Sequence, residues 1–229
     1  MNGIITQSNY IPWKGYFDNI AQCNVMVVYD DMQYTKRDWR NRNYIKTPQG
    51  LKWLTIPVEV SGKYLQKINE TKISNNEWNK EHWAMLKQYY RDAPYFSEFA
   101  TWVEGLYNDA IFNTLTEINV HFLKAVCKFL EIETQFIDSR QFTLVEGKTE
   151  RLVDICKKCG ITNYYSGPAA KNYMDENLFL NENITVHYAD YSGYKEYPQL
   201  FSPFEHGVCI WDLIFNVGNN SKKYLKNIV

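Results

Sequence analysis

The chain has 229 residues, with 25 Lys and Arg against 26 Asp and Glu, a formal net charge of -1 and a pI near 6.4. It is long enough to bury a core without a disulfide or metal staple. Its near-neutral balance supplies no global attraction to nucleic acid or to an anionic membrane surface.

No apolar run approaches the roughly 18 residues that a membrane-spanning helix needs. The first residues read as a strand rather than a signal peptide, and the five cysteines, Cys23, Cys127, Cys156, Cys159 and Cys209, are odd in number. A soluble, reduced, cytoplasmic protein is the expectation. Cys156 and Cys159 have the spacing of a redox or zinc pair, but no second pair accompanies them and they fall in a helical pattern ended by Gly160. They read as two small apolar residues on a helix, with no metal site. Aromatic residues make up 16% of the chain, 18 of them Tyr and 7 Trp. Such side chains join apolar area to one hydrogen-bonding group, so they suit a core and also sites that stack on rings or sugars.

In chain order, residues 4–6 and 25–29 are short apolar runs of strand length, with a short helix over 15–24 between them. This is a compact βαβ unit, and its strand ends should meet at one edge of a parallel sheet, where α/β proteins collect ligands. Residues 47–50 form a turn. Residues 53–60 contain Pro57 and read as an edge strand or hairpin arm. A helix over 78–90, capped by Ser74 or Asn75, is broken by Pro94. A second helix covers 95–107. A third covers 114–130, with Leu115, Ile118, Phe122, Val126 and Phe129 on one face.

A second α/β half follows: strand 134–137, helix 149–159, strand 162–166, helix 168–174 and strand 184–188. The tail holds an apolar helix over 209–215 and a last helix over 221–227. The pattern predicts one α/β domain over 1–229 with a mainly parallel, Rossmann-like sheet and an inserted helical region at about 75–131.

Four patterns carry chemistry. The first is the run from Asp30 to Lys46, in which Lys36, Arg37, Arg40, Arg42 and Lys46 interleave with Tyr34, Trp39 and Tyr44. A pyrophosphate needs such a clamp, since Arg holds phosphate oxygens with parallel donors. The pattern also suits single-stranded nucleic acid or a salt-laced surface loop. Asp30, Asp31 and Asp38 argue against a phosphate backbone. A phosphorylated small molecule is therefore the expected partner, with no nucleic acid and no membrane insertion. Of Asp30 and Asp31, one carboxylate should face the site, there to hold Mg²⁺, ribose hydroxyls or a neighbouring guanidinium.

The second pattern is Trp13-Lys14-Gly15-Tyr16. It stands where nucleotidylyltransferase-like α/β folds carry a His-x-Gly-His element. Gly15 is present, but both histidine places hold aromatics. The helix start still offers amides to an anion, or Pro12-Trp13 is simply a rigid turn. The third is Ser166-Gly167 at the end of a strand and the start of a helix, a second anion seat. The fourth is His206 beside Glu205, in a loop before an apolar helix. It is either a general base or a helix-opening imidazole bonded to backbone.

The stretch from Gln7 through Asn9, Tyr10 and Trp13 to Phe17, the Asp30-Asp31 pair and its cationic run, Tyr164 to Ala170, and Phe204 to Asn216 together resemble the WbqC-like protein family. The resemblance spans nearly the whole chain, with its motifs in the expected order. It implies work on nucleotide-activated sugars, amino sugars among them, in bacterial O-antigen and surface-polysaccharide assembly. The reaction it suggests is acyl or aminoacyl transfer to a sugar amine. A nucleotidylyltransferase, a glycosyltransferase and a non-catalytic binding subunit stand as alternatives.

On this reading His206, Glu205 and Asp31 are the catalytic candidates. Gln7, Asn9, Tyr10, Trp13, Gly15, Asp30, Lys36, Arg37, Arg40, Asn41, Arg42, Lys46, Ser166 and Gly167 are the binding candidates, with Trp13 and Tyr10 stacking on the ligand. No pattern identifies a cofactor. ATP with Mg²⁺ would supply acyl activation at the Gly15 and Ser166-Gly167 helix starts.

Overall fold

Alternation along the first two strands decides how the molecule is layered. In the computed structural model, which describes residues 1–228, β1 spans Asn2–Thr6 and β2 spans Val25–Val28. Ile5, Val25 and Val27 enter one apolar cluster, whereas Ile4, Met26 and Val28 enter another on the opposite side. Strands buried on both faces read as near-continuous apolar runs, as these do, and belong inside a covered parallel sheet.

Around them lie β5 (Gln135–Asp138), β6 (Asn163–Ser166) and β7 (Thr185–Tyr188). The order is β5-β2-β1-β6-β7, and every pairing is parallel. The chain leaves β1 in one direction for β2 and β5, then returns to the other side of β1 for β6 and β7. The reversal falls between β1 and β6. This is a Rossmann-like α/β core, and its switch point is where such sheets open a crevice beyond their carboxyl ends.

One cluster packs α1 (Lys14–Ala21), α2 (Trp78–Tyr90), α3 (Phe96–Asp109), α4 (Leu115–Phe129) and α7 (Ile210–Val217) on the sheet. The other packs α5 (Lys148–Cys159) and α6 (Glu176–Leu180). The start of α4 is fixed by a reciprocal cap between Thr114 and Glu117. Gly160, at φ 68°, ends α5. Cys156 is buried on α5, and all five thiols are free. No helix among the described residues is long and apolar enough to cross a membrane.

Three local expectations shift. Residues 42–47, read as part of a charged run, form β3 (Arg42–Thr47), which pairs with β4 (Gly50–Thr55) as an antiparallel hairpin. Its alternation is hidden because the buried positions include Asn43 and Lys46. The helix expected over 168–174 is a 3₁₀ turn at Pro168–Asn172, followed by α6, whose start Asp175 caps. The last helix is likewise 3₁₀, at Gly218–Tyr224.

Candidate functional site

The switch point opens a cavity of about 610 Å³ just past β1 and β6. Thr6 and Gln7 reach it from β1, Ser166 and Gly167 from β6, and Gly147, Lys148 and Arg151 from the start of α5. Gly147 sits at φ 94°, and the place of a side chain there is filled by the Glu150 carboxylate. That turn lets α5 begin at the rim, with its amide ends and positive dipole end beside the cavity. Lys148 and Arg151 lie three residues apart, hence on one helix face.

Arg151 donates from Nε to the Val145 carbonyl at 2.8 Å and from Nη1 to the Tyr29 hydroxyl at 3.3 Å. Among the described residues, neither Lys148 nor Arg151 is ion-paired with a carboxylate. Two cations without an ion-pair contact beside a helix start, whose first turn also carries the Glu150 carboxylate, line a concave site of ligand size that suits an anion.

A second cavity of about 380 Å³ adjoins the first, and Tyr191 lines both. Asn9, Trp13, Trp39, Asn43 and His206 also line it. Arg40 links the two. Its guanidinium donates to Gln7 at 3.1 Å, on the first cavity, and to Asn9, on the second.

The structure thus brings together Gln7, Ser166 and Gly167 at one cavity and Asn9, Trp13 and His206 at the other, with Arg40 between. It does not bring the remaining candidates there. Tyr10 is fully buried, and stacking on a ligand is not open to it. It belongs to a relay in which the Trp211 indole donates to Tyr107, and the Tyr107 and Tyr10 hydroxyls lead to His82 Nδ1. His82 Nε2 faces the Thr55 carbonyl at 3.2 Å, so Nε2 carries the proton and Nδ1 accepts. Burial lowers the His82 pKa to about 4.

Gly15 is needed for a different neighbour than expected: a Cβ there would meet the Trp13 indole at 2.3 Å. The indole occupies the approach that a nucleotide would use.

The cationic clamp is dispersed. Lys36 and Arg37 are exposed on a loop. Arg42 lies over the Trp53 ring at 3.8 Å and donates to the Arg37 carbonyl. Lys46 is buried and donates to Gln199 at 2.6 Å and to the Pro203 carbonyl. Asn41 is buried and donates to the Ile56 carbonyl.

Both carboxylates of the Asp30-Asp31 pair are occupied internally. Asp30 accepts from the Ser8 amide, the Ser8 hydroxyl and the Thr116 hydroxyl. Burial raises its pKa, against the pull of those bonds. Asp31 accepts from Ser139 at 2.5 Å and pairs with Lys67 at 3.4 Å. These two residues do not fit a Mg²⁺ seat, and no cluster of three His, Cys, Asp or Glu suited to a metal is found among the described residues.

The model of the WbqC-like protein family matches residues 7–224. The chain belongs to the WbqC-like protein family. It is also 48% identical over 222 residues to a Mycobacterium tuberculosis (strain ATCC 25618 / H37Rv) protein named "Uncharacterized protein Rv1507c", covering 97% of this chain and 96% of that one. No solved structure matches the chain significantly.

In this WbqC-like chain the proposed acid–base pair is not a pair. The Glu205 carboxylate accepts from the Gly207 amide at 2.8 Å, and no hydrogen bond joins it to His206. Among the described residues, His206 Nδ1 is buried without a partner. Burial first, and then nearby Lys14, lower the His206 pKa, which keeps the imidazole neutral at pH 7. A neutral imidazole with no internal partner can accept a proton from a ligand. Lys14 is itself lowered to about 8, mainly by burial, and donates to the Lys195 carbonyl at 2.6 Å.

Sequence reasoning overlooked Lys148, Arg151 and Tyr191. The signal for the first two was a glycine directly before a helix, followed by cations one turn apart. Tyr191 gave no signal, since it sits in an irregular stretch between β7 and α7.

Proposed function

We propose that this protein binds a nucleotide-activated amino sugar and transfers an acyl or aminoacyl group to its amine, as a cytoplasmic enzyme of bacterial O-antigen or surface-polysaccharide assembly. One observation carries the reading: the switch-point cavity holds Lys148 and Arg151, both without an ion-pair partner, at the start of α5. The nucleotide's phosphates belong there, with Ser166 and Gly167 facing them across the crevice. The polysaccharide context is what the resemblance to the family implies. Five free thiols suit a reducing compartment.

In the transfer, the sugar nitrogen attacks the carbonyl carbon of an activated acyl donor, a thioester or acyl phosphate. The new C–N bond forms as the bond to the leaving thiolate or phosphate breaks. His206 accepts the proton that the nitrogen sheds. Asp31 and Glu205, held by internal partners, take no part.

Thermal unfolding with a panel of nucleoside diphosphates and their hexose conjugates tests the binding step. A ligand at about 100 times its dissociation constant should add about 2.7 kcal/mol, and no shift with any member would sink the reading. For the chemistry, His206→Gln should abolish acylation of the sugar amine, followed by mass spectrometry, yet leave binding intact. Activity of the native protein should persist below about pH 6.5, because the imidazole resists protonation there. Undiminished turnover in His206→Gln would remove the base.

A further inference from the structure

Resting on the nucleotide-sugar reading, we propose that the second cavity is a pyranose subsite, in which Trp13, Trp39 and Tyr191 wall the hexose ring while its phosphates lie in the first cavity. No Lys or Arg among the described residues lines the second cavity, so it is a poorer seat for a phosphate than the first. Its largest contributors are rings. A pyranose chair presents apolar C–H faces to aromatic surfaces and hydroxyls at its rim, which is the chemistry this lining matches.

The wall geometry favours a puckered ring over a flat one. Trp13 and Tyr191 meet at 68° with centroids 5.3 Å apart. They form a corner rather than a parallel slot for a nucleobase. Nor is the Asn43 amide on its wall free to read a base. Asn43 donates to the Tyr10 and Ile11 carbonyls and accepts from the Tyr44 amide.

Trp39 is 43% exposed yet held in place. Its carbonyl accepts from the Tyr10 amide at 3.0 Å, and its ring rests on Tyr44 and Trp53 at 5.9 and 5.5 Å. A pre-positioned, solvent-facing indole suits a ligand that covers it. The rim partners are also present. Asn9 gives its oxygen to Arg40, and its amide nitrogen has no partner among the described residues. His206 lines the same cavity.

Calorimetric titration tests this with UDP and dTDP, each against its glucose and N-acetylglucosamine conjugates. The native protein should bind at least one conjugate about tenfold more tightly than the matching diphosphate, a gain typical of one good ring contact. Trp39→Ala should erase that gain and leave diphosphate affinity unchanged, and Trp39→Phe should restore it. Where a diphosphate binds, no gain for its conjugates in the native protein, or equal loss for diphosphate and conjugate in Trp39→Ala, overturns the subsite.

A second arm is independent of the phosphates. Saturation-transfer NMR with methyl glucoside and methyl N-acetylglucosaminide should mark the ring C–H protons with the native protein and not with Trp39→Ala. If neither diphosphate binds but this transfer is seen and is lost in Trp39→Ala, the phosphate reading falls and the pyranose subsite stands. Absence of transfer with the native protein overturns the subsite.

Discussion

Two cation clusters behave in opposite ways. Residues 36–46 hold five Lys or Arg in eleven positions, and none of them lines either cavity. Residues 148–151 hold two, and both line the first cavity. The first cluster runs through an exposed loop into β3, where a rise of about 3.3 Å per residue sets Arg42 and Lys46 roughly 13 Å apart. Lys46 turns inward, Arg42 stacks on Trp53, and Lys36 and Arg37 face solvent. The second cluster sits on the opening turn of a helix, where a spacing of three converges. Density of charge along a chain is a poor guide to a site. Periodicity matched to the element that carries the charge is a better one.

This comparison can be broken by experiment. The largest expected effect is on affinity. Lys148→Ala with Arg151→Ala removes two charge-assisted contacts of roughly 1.5 kcal/mol each, so nucleoside diphosphate binding should fall about 100-fold. Stability in urea should fall only by what the Arg151 bonds to the Val145 carbonyl and the Tyr29 hydroxyl contribute, about 1 kcal/mol.

Of similar size is a pH effect on stability from the Tyr10 relay. The folded chain holds His82 neutral down to about pH 4, while the unfolded chain takes up a proton near pH 6.5. Stability should therefore fall as pH drops through that window, by up to about 3 kcal/mol. His82→Gln should lack that slope in urea unfolding measured across the same range.

Lys46→Ala should show the reverse of the double variant. It leaves Gln199 and the Pro203 carbonyl without their buried donor and should cost about 2 kcal/mol of stability with affinity unchanged. Smallest of all, Lys36→Ala with Arg37→Ala should change stability by less than about 0.5 kcal/mol and leave binding as it was.

Much of the scaffold was legible. The strands around Ile4, Val25 and Ile184 and the helices around Trp78, Phe122 and Ile155 follow apolar periodicity, which burial enforces. Of the hairpin, the turn at 47–50 and part of the second arm were legible and β3 was not, because Asn43 and Lys46 are buried where apolar residues are expected. Their partners, the Tyr10 and Ile11 carbonyls and Gln199, come from distant parts of the chain. The candidate site was legible where residues follow a strand, as Gln7 and Ser166-Gly167 do, and at Asn9, Trp13, Arg40 and His206. Gly15 marks a close approach, but nothing in the sequence says that the approaching group is Trp13 rather than a ligand. Asp30 and Asp31 look the same in sequence whether they hold a metal or, as here, Ser8, Thr116 and Ser139.

Amide hydrogen exchange with and without a saturating nucleoside diphosphate tests the central claim most directly. Protection of residues 147–151 and 166–170, with 34–46 unchanged, is the predicted result. Protection of 34–46 with none at the start of α5 would contradict the assignment of the phosphate seat to Lys148 and Arg151.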